Sequence, residues 1–186
     1  MGSTMTISAE DAGAMLAEID LIKRRVQQSS IYRASSMIVI GWGAIVFVGN
    51  LAGIAAGRWT GAVWIALDVL GALGTIIVLS RTRKTERLGA SFLAAFALFV
   101  GFGLVWSLII GHFGARELDV FWPTLFLFGY ALAGLMFGRA FTVIGVGLSA
   151  LIVAGYLSIE GTAFNVFLAI VNGGGLMLCG LWMRRV

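Results

Sequence analysis

The sequence predicts an all-α, polytopic membrane helix bundle, and three observations carry that expectation. Of 186 residues, 60% are hydrophobic and only 12% charged, with a mean hydropathy of +0.99, against about 25% charged residues in soluble proteins. Six apolar runs follow one another through short connections, each near the ~20 residues a bilayer-spanning helix needs. Lys and Arg gather at alternate ends of those runs. The expected layout is a cytoplasmic or interfacial amphipathic helix within residues 1–33 and a six-helix transmembrane domain over 34–186.

The lead-in helix comes first. Ser8 and Asp11 resemble a capping box, and Ala12, Met15, Leu16, Ile19, Ile22 and Val26 then recur at helical spacing. This pattern predicts an amphipathic helix over residues 9–30, acidic at its start and basic at its end, as the helix dipole favours. Its apolar face suits the cytoplasmic leaflet, the underside of the bundle, a second subunit or a dedicated protein partner. Ile19, Ile22, Lys23, Arg24 and Arg25 are the candidate partner-binding residues. Glu10, Asp11, Glu18, Asp20 and Lys23 interrupt any continuous apolar core, so no cleavable signal peptide is expected and the first span serves as the insertion signal.

The spans are expected at 35–56, 61–80, 88–111, 120–138, 140–158 and 163–183. With the amino terminus inside, the cytoplasmic side receives Lys23, Arg24, Arg25, Arg33, Arg81, Arg83, Lys84, Arg87, Arg139, Arg184 and Arg185, against Arg58 and Arg116 outside. That bias predicts a multi-pass protein of a bacterial inner membrane with both termini cytoplasmic. Clustered at span ends, the basic residues that set the pI of 9.8 read as topology determinants and lipid-headgroup anchors, and no nucleic-acid partner is expected. Trp residues near span ends fit an aromatic belt. Pro123 falls in the first turn of its expected span, where a missing donor costs little.

Small residues point to tight helix packing: Gly49, Gly53 and Gly57 share a face, as do Gly134 and Gly138. Gly173 to Gly175 are three consecutive glycines that weaken a helix interior and invite a break or a close approach. The two halves also match. Trp42, Gly49, Gly53 and Gly57-Arg58 align with Trp122, Gly129, Gly134 and Gly138-Arg139, and Leu67, Asp68 and Gly74 with Leu148, Ser149 and Gly155. A second offset pairs Phe92, Gly101 and Gly103 with Phe164, Gly173 and Gly175. Three spans per half make this an inverted 3+3 repeat, residues 34–112 and 117–186, as in many transporters.

Chemistry is sparse. Asp68 is the one carboxylate well inside an apolar run, and a carboxylate at membrane depth costs roughly 2.5–3.5 kcal/mol on insertion scales. Asn50 and Asn172 lie at matching depth, so a hydrogen-bonded Asn50–Asp68–Asn172 cluster, with Ser149 as the pseudo-symmetric counterpart of Asp68, is the candidate ligand- or ion-binding site. The competing reading is that a protonated Asp68 holds helices together through one hydrogen bond. His112, Glu117 and Asp119 cluster at the outer side, as a weak site or as interfacial anchors. One cysteine, Cys179, and one histidine cannot assemble the usual metal or haem ligand sets within one chain. No nucleophile elbow, Walker loop or paired intramembrane carboxylate is present, so neither catalysis, a metal nor a cofactor is expected.

The segment IKRRVQQSSIYRASSMIVIGWG, running into Gly41-Trp42-Gly43, resembles a group of uncharacterised bacterial six-span membrane proteins, as do the spans from FWPTLFLFGY to LWMRR. The resemblance implies the same architecture and no activity, and such proteins look like companions of regulatory genes. Two functions are therefore expected as alternatives. One is a small transporter or channel with a proton- or cation-linked site at Asp68, in a homodimer. The other is a non-catalytic sensor, regulatory or assembly protein acting through its N-terminal helix on a partner at the cytoplasmic face. Membrane lipids are partners under both.

Overall fold

The computed structural model describes residues 9–82 and 87–184. Those residues are almost entirely helical. Helix α1 (Ala9–Ala56) turns through a short 3₁₀ segment, Gly57–Trp59, into α2 (Thr60–Thr82). Helix α3 (Arg87–Leu104) ends in a π-helical turn, Val105–Ile110, and is followed by α4 (Ala115–Phe137) and α5 (Arg139–Ser158). Last come α6 (Thr162–Leu168), a π-helical segment Ala169–Gly174 and α7 (Gly175–Met183), which run on as one closing helix.

By length and composition, four stretches can cross a membrane: Ser35–Arg81, Ala115–Met136, Arg139–Ser158 and Thr162–Met183, with Ala94–Ile110 a shorter apolar helix. The first is not one straight helix, because its 47 residues fold back at Gly57. Trp42 Nε1 donates to Thr75 Oγ1 at 3.0 Å, and Thr60 Oγ1 donates to Gly53 O at 3.2 Å, closing the α1–α2 hairpin. The surroundings must be apolar as well: Leu157 is 77% and Met136 81% exposed, among many other outward Leu, Ile, Val and Phe side chains, far more than an aqueous surface tolerates. The chain is a helical membrane protein.

Two of the sequence expectations change. The amphipathic segment and the first span were expected as separate helices, yet α1 runs unbroken for 48 residues. No Gly or Pro occurs between Ala14 and Ile40, so nothing interrupts backbone hydrogen bonding at the change from polar to apolar composition. Ser8, half of the expected capping box, lies outside the described residues. Pro123 is also not in a first turn. Helix α4 starts at Ala115 with Glu117 in its first turn, a favourable place for an acid, so Pro123 sits inside the helix and leaves the Asp119 carbonyl without its usual donor. Thr124 Oγ1 then bonds back to Val120 O at 2.7 Å and Phe121 O at 3.0 Å.

Packing is organised around α1, α5 and the closing helix. Val39, Leu127, Phe141, Ile144, Ile152, Phe164, Leu168 and Met183 form the buried core. Helix α2 packs on α1, and α3 leans on α4 through Phe96, Phe99 and Phe126, with ring centroids 5.8–6.3 Å apart. The turns use residues that tolerate positive φ, namely Gly57 at 51°, Gly138 at 136° and Gly161 at 60°, plus His112 at 47°. Arg116, counted from sequence as an outward charge, is structural: its Nη2 donates to Tyr156 O at 2.7 Å and Ile159 O at 2.8 Å, capping α5, while its guanidinium lies over the Tyr156 ring at 4.8 Å. Its contact with the exposed Glu160, at 4.0 Å, adds little.

The α4–α5 hairpin depends on backbone approach. A Cβ on Gly145 would overlap Leu127 O and lie 2.6 Å from Ala131 N, whereas one on Gly147 meets nothing within 4 Å. Gly145→Ala should therefore lower the melting temperature in detergent, at a cost of about 1–3 kcal/mol. Gly147→Ala should leave it unchanged or slightly raised. Equal effects of the two substitutions would contradict this packing.

Candidate functional site

Helix α1 and the closing helix meet along a seam of small residues. A Cβ on Gly43 would lie 2.8 Å from Gly173 O, one on Gly173 only 2.6 Å from Phe47 N, and one on Gly180 3.0 Å from Ser36 O. At the end nearer the carboxyl terminus, Ser36 Oγ donates to Gly180 O at 2.6 Å and accepts from Arg184 Nε at 3.1 Å. Both helix backbones are thus in near-contact over several turns. Only glycine permits that, and such close approach is how helices associate without a hydrophobic drive in lipid.

The three consecutive glycines anticipated a weakness here, and the structure gives its form: Ala169–Gly174 is π-helical. Asn172 sits in this segment, 2% exposed, and its Oδ1 has no hydrogen-bond partner. A buried amide oxygen without a partner costs about 1–3 kcal/mol, and π-bulges recur at functional sites. Ser107, in the π-helical turn of α3, is likewise buried with an unpartnered Oγ. Of the three buried side-chain atoms without a partner among the described residues, two therefore lie in π-helical turns, the third being Arg116 Nε. Ser107 is not singled out by the sequence, since the π turn that marks it has no residue signature.

The predicted cluster assembles only in part. Asn50 is buried, 4% exposed, on α1, and Asn172 is buried on the closing helix that packs against α1. The Asn50 amide, however, donates to Val46 O of its own helix at 2.8 Å. Asp68 is exposed on α2, and no hydrogen bond joins it to Asn50 or Asn172. The cause is azimuth. Trp64 and Leu67 meet Gly49, while Ile45 and Trp42 meet Gly71; Asp68 is turned off that face by the ~100° that separates consecutive helical residues. Ser149 is half-buried on α5, and no described residue hydrogen-bonds it.

The outer acidic and histidine residues do not converge either. Asp119 Oδ2 accepts from Asn165 Nδ2 at 3.3 Å, His112 is exposed, and no three His, Cys, Asp or Glu side chains come together among the described residues. The side chains of Ile19, Ile22, Lys23, Arg24 and Arg25 lie outside the described residues, although their backbone belongs to α1. No protein-family model, curated protein or solved structure matches the chain.

If the Asn172 carbonyl is unpartnered in the resting protein, removing it should be harmless to folding. Asn172→Leu should melt at the same temperature as the wild type, or higher, in ligand-free detergent. A clear drop in melting temperature would show that Asn172 already holds a partner.

Proposed function

We propose that this chain is a non-catalytic regulatory or assembly protein of a bacterial inner membrane, with six spans and both termini cytoplasmic, whose N-terminal helix is the working surface. The observation that carries this reading is the unbroken α1. At ~1.5 Å per residue, its 48 residues extend for about 72 Å, more than twice the ~30 Å hydrocarbon core. The part before Ser35 is therefore a rigid extension of a helix whose other half sits in the packed core, between α2 and the closing helix. Movement or binding at one end is mechanically felt at the other.

Six spans and the cytoplasmic termini are supported by the Lys and Arg bias and by the α1–α2 fold-back. The internal repeat rests on the sequence matches alone, since the two π-helical turns, Val105–Ile110 and Ala169–Gly174, fall at positions that those matches do not pair. The resemblance to membrane companions of regulatory genes points the same way.

Transport is a second reading, favoured by one observation, the unpartnered Asn172 Oδ1 in a π-helical segment. It no longer draws on an Asn50–Asp68–Asn172 triad, because Asp68 bonds to neither amide. The two readings separate experimentally. With a photo-crosslinking residue at Glu18, cells should yield an adduct to another protein that is abolished by inserting Gly-Pro after Ser30, with the bundle still folded. Absence of any heterologous adduct, together with solute or proton flux in proteoliposomes that Asn172→Leu abolishes, would instead establish transport.

A further inference from the structure

Helix α1 has three sides, and one of them is exposed from Met37 to Leu51. Trp42 and Gly49 face α2, whereas Ser36, Gly43 and Phe47 face the closing helix. The remaining side carries Met37, Gly41, Ala44, Val48 and Leu51, all exposed. At about 100° per residue, the register of this side continues back through Arg33 to Val26, Ile22, Ile19 and Met15, within an arc of roughly 100°. Met15 is 56% exposed. By register, the apolar positions of the N-terminal segment and the exposed side of the first span follow one line along α1, joined through Ser30 and Arg33.

We propose that this face is a homodimer interface, in which two copies of α1 pair in parallel from the cytoplasmic segment into the membrane. The inference rests on the reading of residues 9–34 as a cytoplasmic extension. Lipid can cover the face within the bilayer, but an apolar stripe carried beyond it on a straight helix needs a protein occupant. That occupant must also pass from water into lipid alongside α1, which a second α1 does by construction. Charge selects the same partner. In the sequence, Glu18 and Lys23 are five residues apart at positions on either side of the apolar register, the spacing at which opposite charges set parallel pairing in coiled coils. Within the membrane, Gly41 has nothing within 4 Å of where a Cβ would stand, which lets two backbones approach. Arg33 is the one charge on the face. Two copies of it meet at the bilayer border, where headgroup phosphates receive them, and it weakens the pair locally.

The test is disulfide trapping of the full chain in phosphatidylethanolamine–phosphatidylglycerol vesicles, with Cys179→Ser as background. Met15→Cys, Ile22→Cys, Ala44→Cys and Val48→Cys should each give a crosslinked dimer on mild oxidation. Ala17→Cys and Arg24→Cys, on the opposite side of the helix, should not. Arg33→Leu should raise the dimer fraction several-fold at limiting protein-to-lipid ratio, a gain that damage to folding cannot mimic. Absence of crosslinks at all four face positions, equal crosslinking at the controls, or a lower dimer fraction in Arg33→Leu would overturn the proposal. Should the heterologous adduct at Glu18 persist without these crosslinks, the homodimer fails and the partner-binding role stands; crosslinks without that adduct mean the reverse.

Discussion

Everything in this bundle depends on how closely α1 approaches the closing helix. In lipid, two apolar helices gain nothing by hiding from their solvent, so they hold together through van der Waals contact and a few hydrogen bonds. Gly43, Gly173 and Gly180 remove the side chains that would keep the backbones apart, and Ser36 and Arg184 add hydrogen bonds where the seam ends. The same small-residue logic closes the α4–α5 hairpin at Gly134 and Gly145. Helices α2 and α3 lie outside this centre, each leaning on one neighbour, which is why so much of their apolar surface faces outward.

The seam has an internal tension. A π-helical segment and a buried, unpartnered amide oxygen occupy its middle, at the point of closest backbone contact. Both are unfavourable relative to a regular helix with an apolar side chain. The strain lies directly against α1, where a Cβ on Gly173 would stand 2.6 Å from Phe47 N.

Much of this was legible in the residues. Hydropathy located the apolar helices within a few residues, and the glycine run 173–175 flagged the place where the closing helix departs from α-helical geometry, whereas Gly57 and Gly138, read as parts of packing faces, turn out to sit at bends. What failed was azimuth. Counting along a sequence sets Asn50, Asp68 and Asn172 at similar levels but not on one side, and a single residue of rotation puts Asp68 off the face on which Leu67 and Gly71 meet α1. Continuity was missed for a related reason: a change from polar to apolar composition after Arg33 reads as a boundary, although the backbone has no cause to break there. Arg116 shows the limit of charge counting, since a residue tallied as an outward cation is the cap of α5. Pro123 shows how a start misjudged by five residues changes the role of a proline.

Rigid continuity of α1 is the claim on which both the functional reading and the dimer rest. It is tested most directly by pulsed electron–electron spin distances between labels at Glu18→Cys and Leu51→Cys, in a Cys179→Ser background diluted with unlabelled protein. An unbroken helix places those positions about 50 Å apart at ~1.5 Å per residue, with a narrow distribution. A segment that folds onto the leaflet at the membrane border would give about 35 Å instead, and that result would contradict the account.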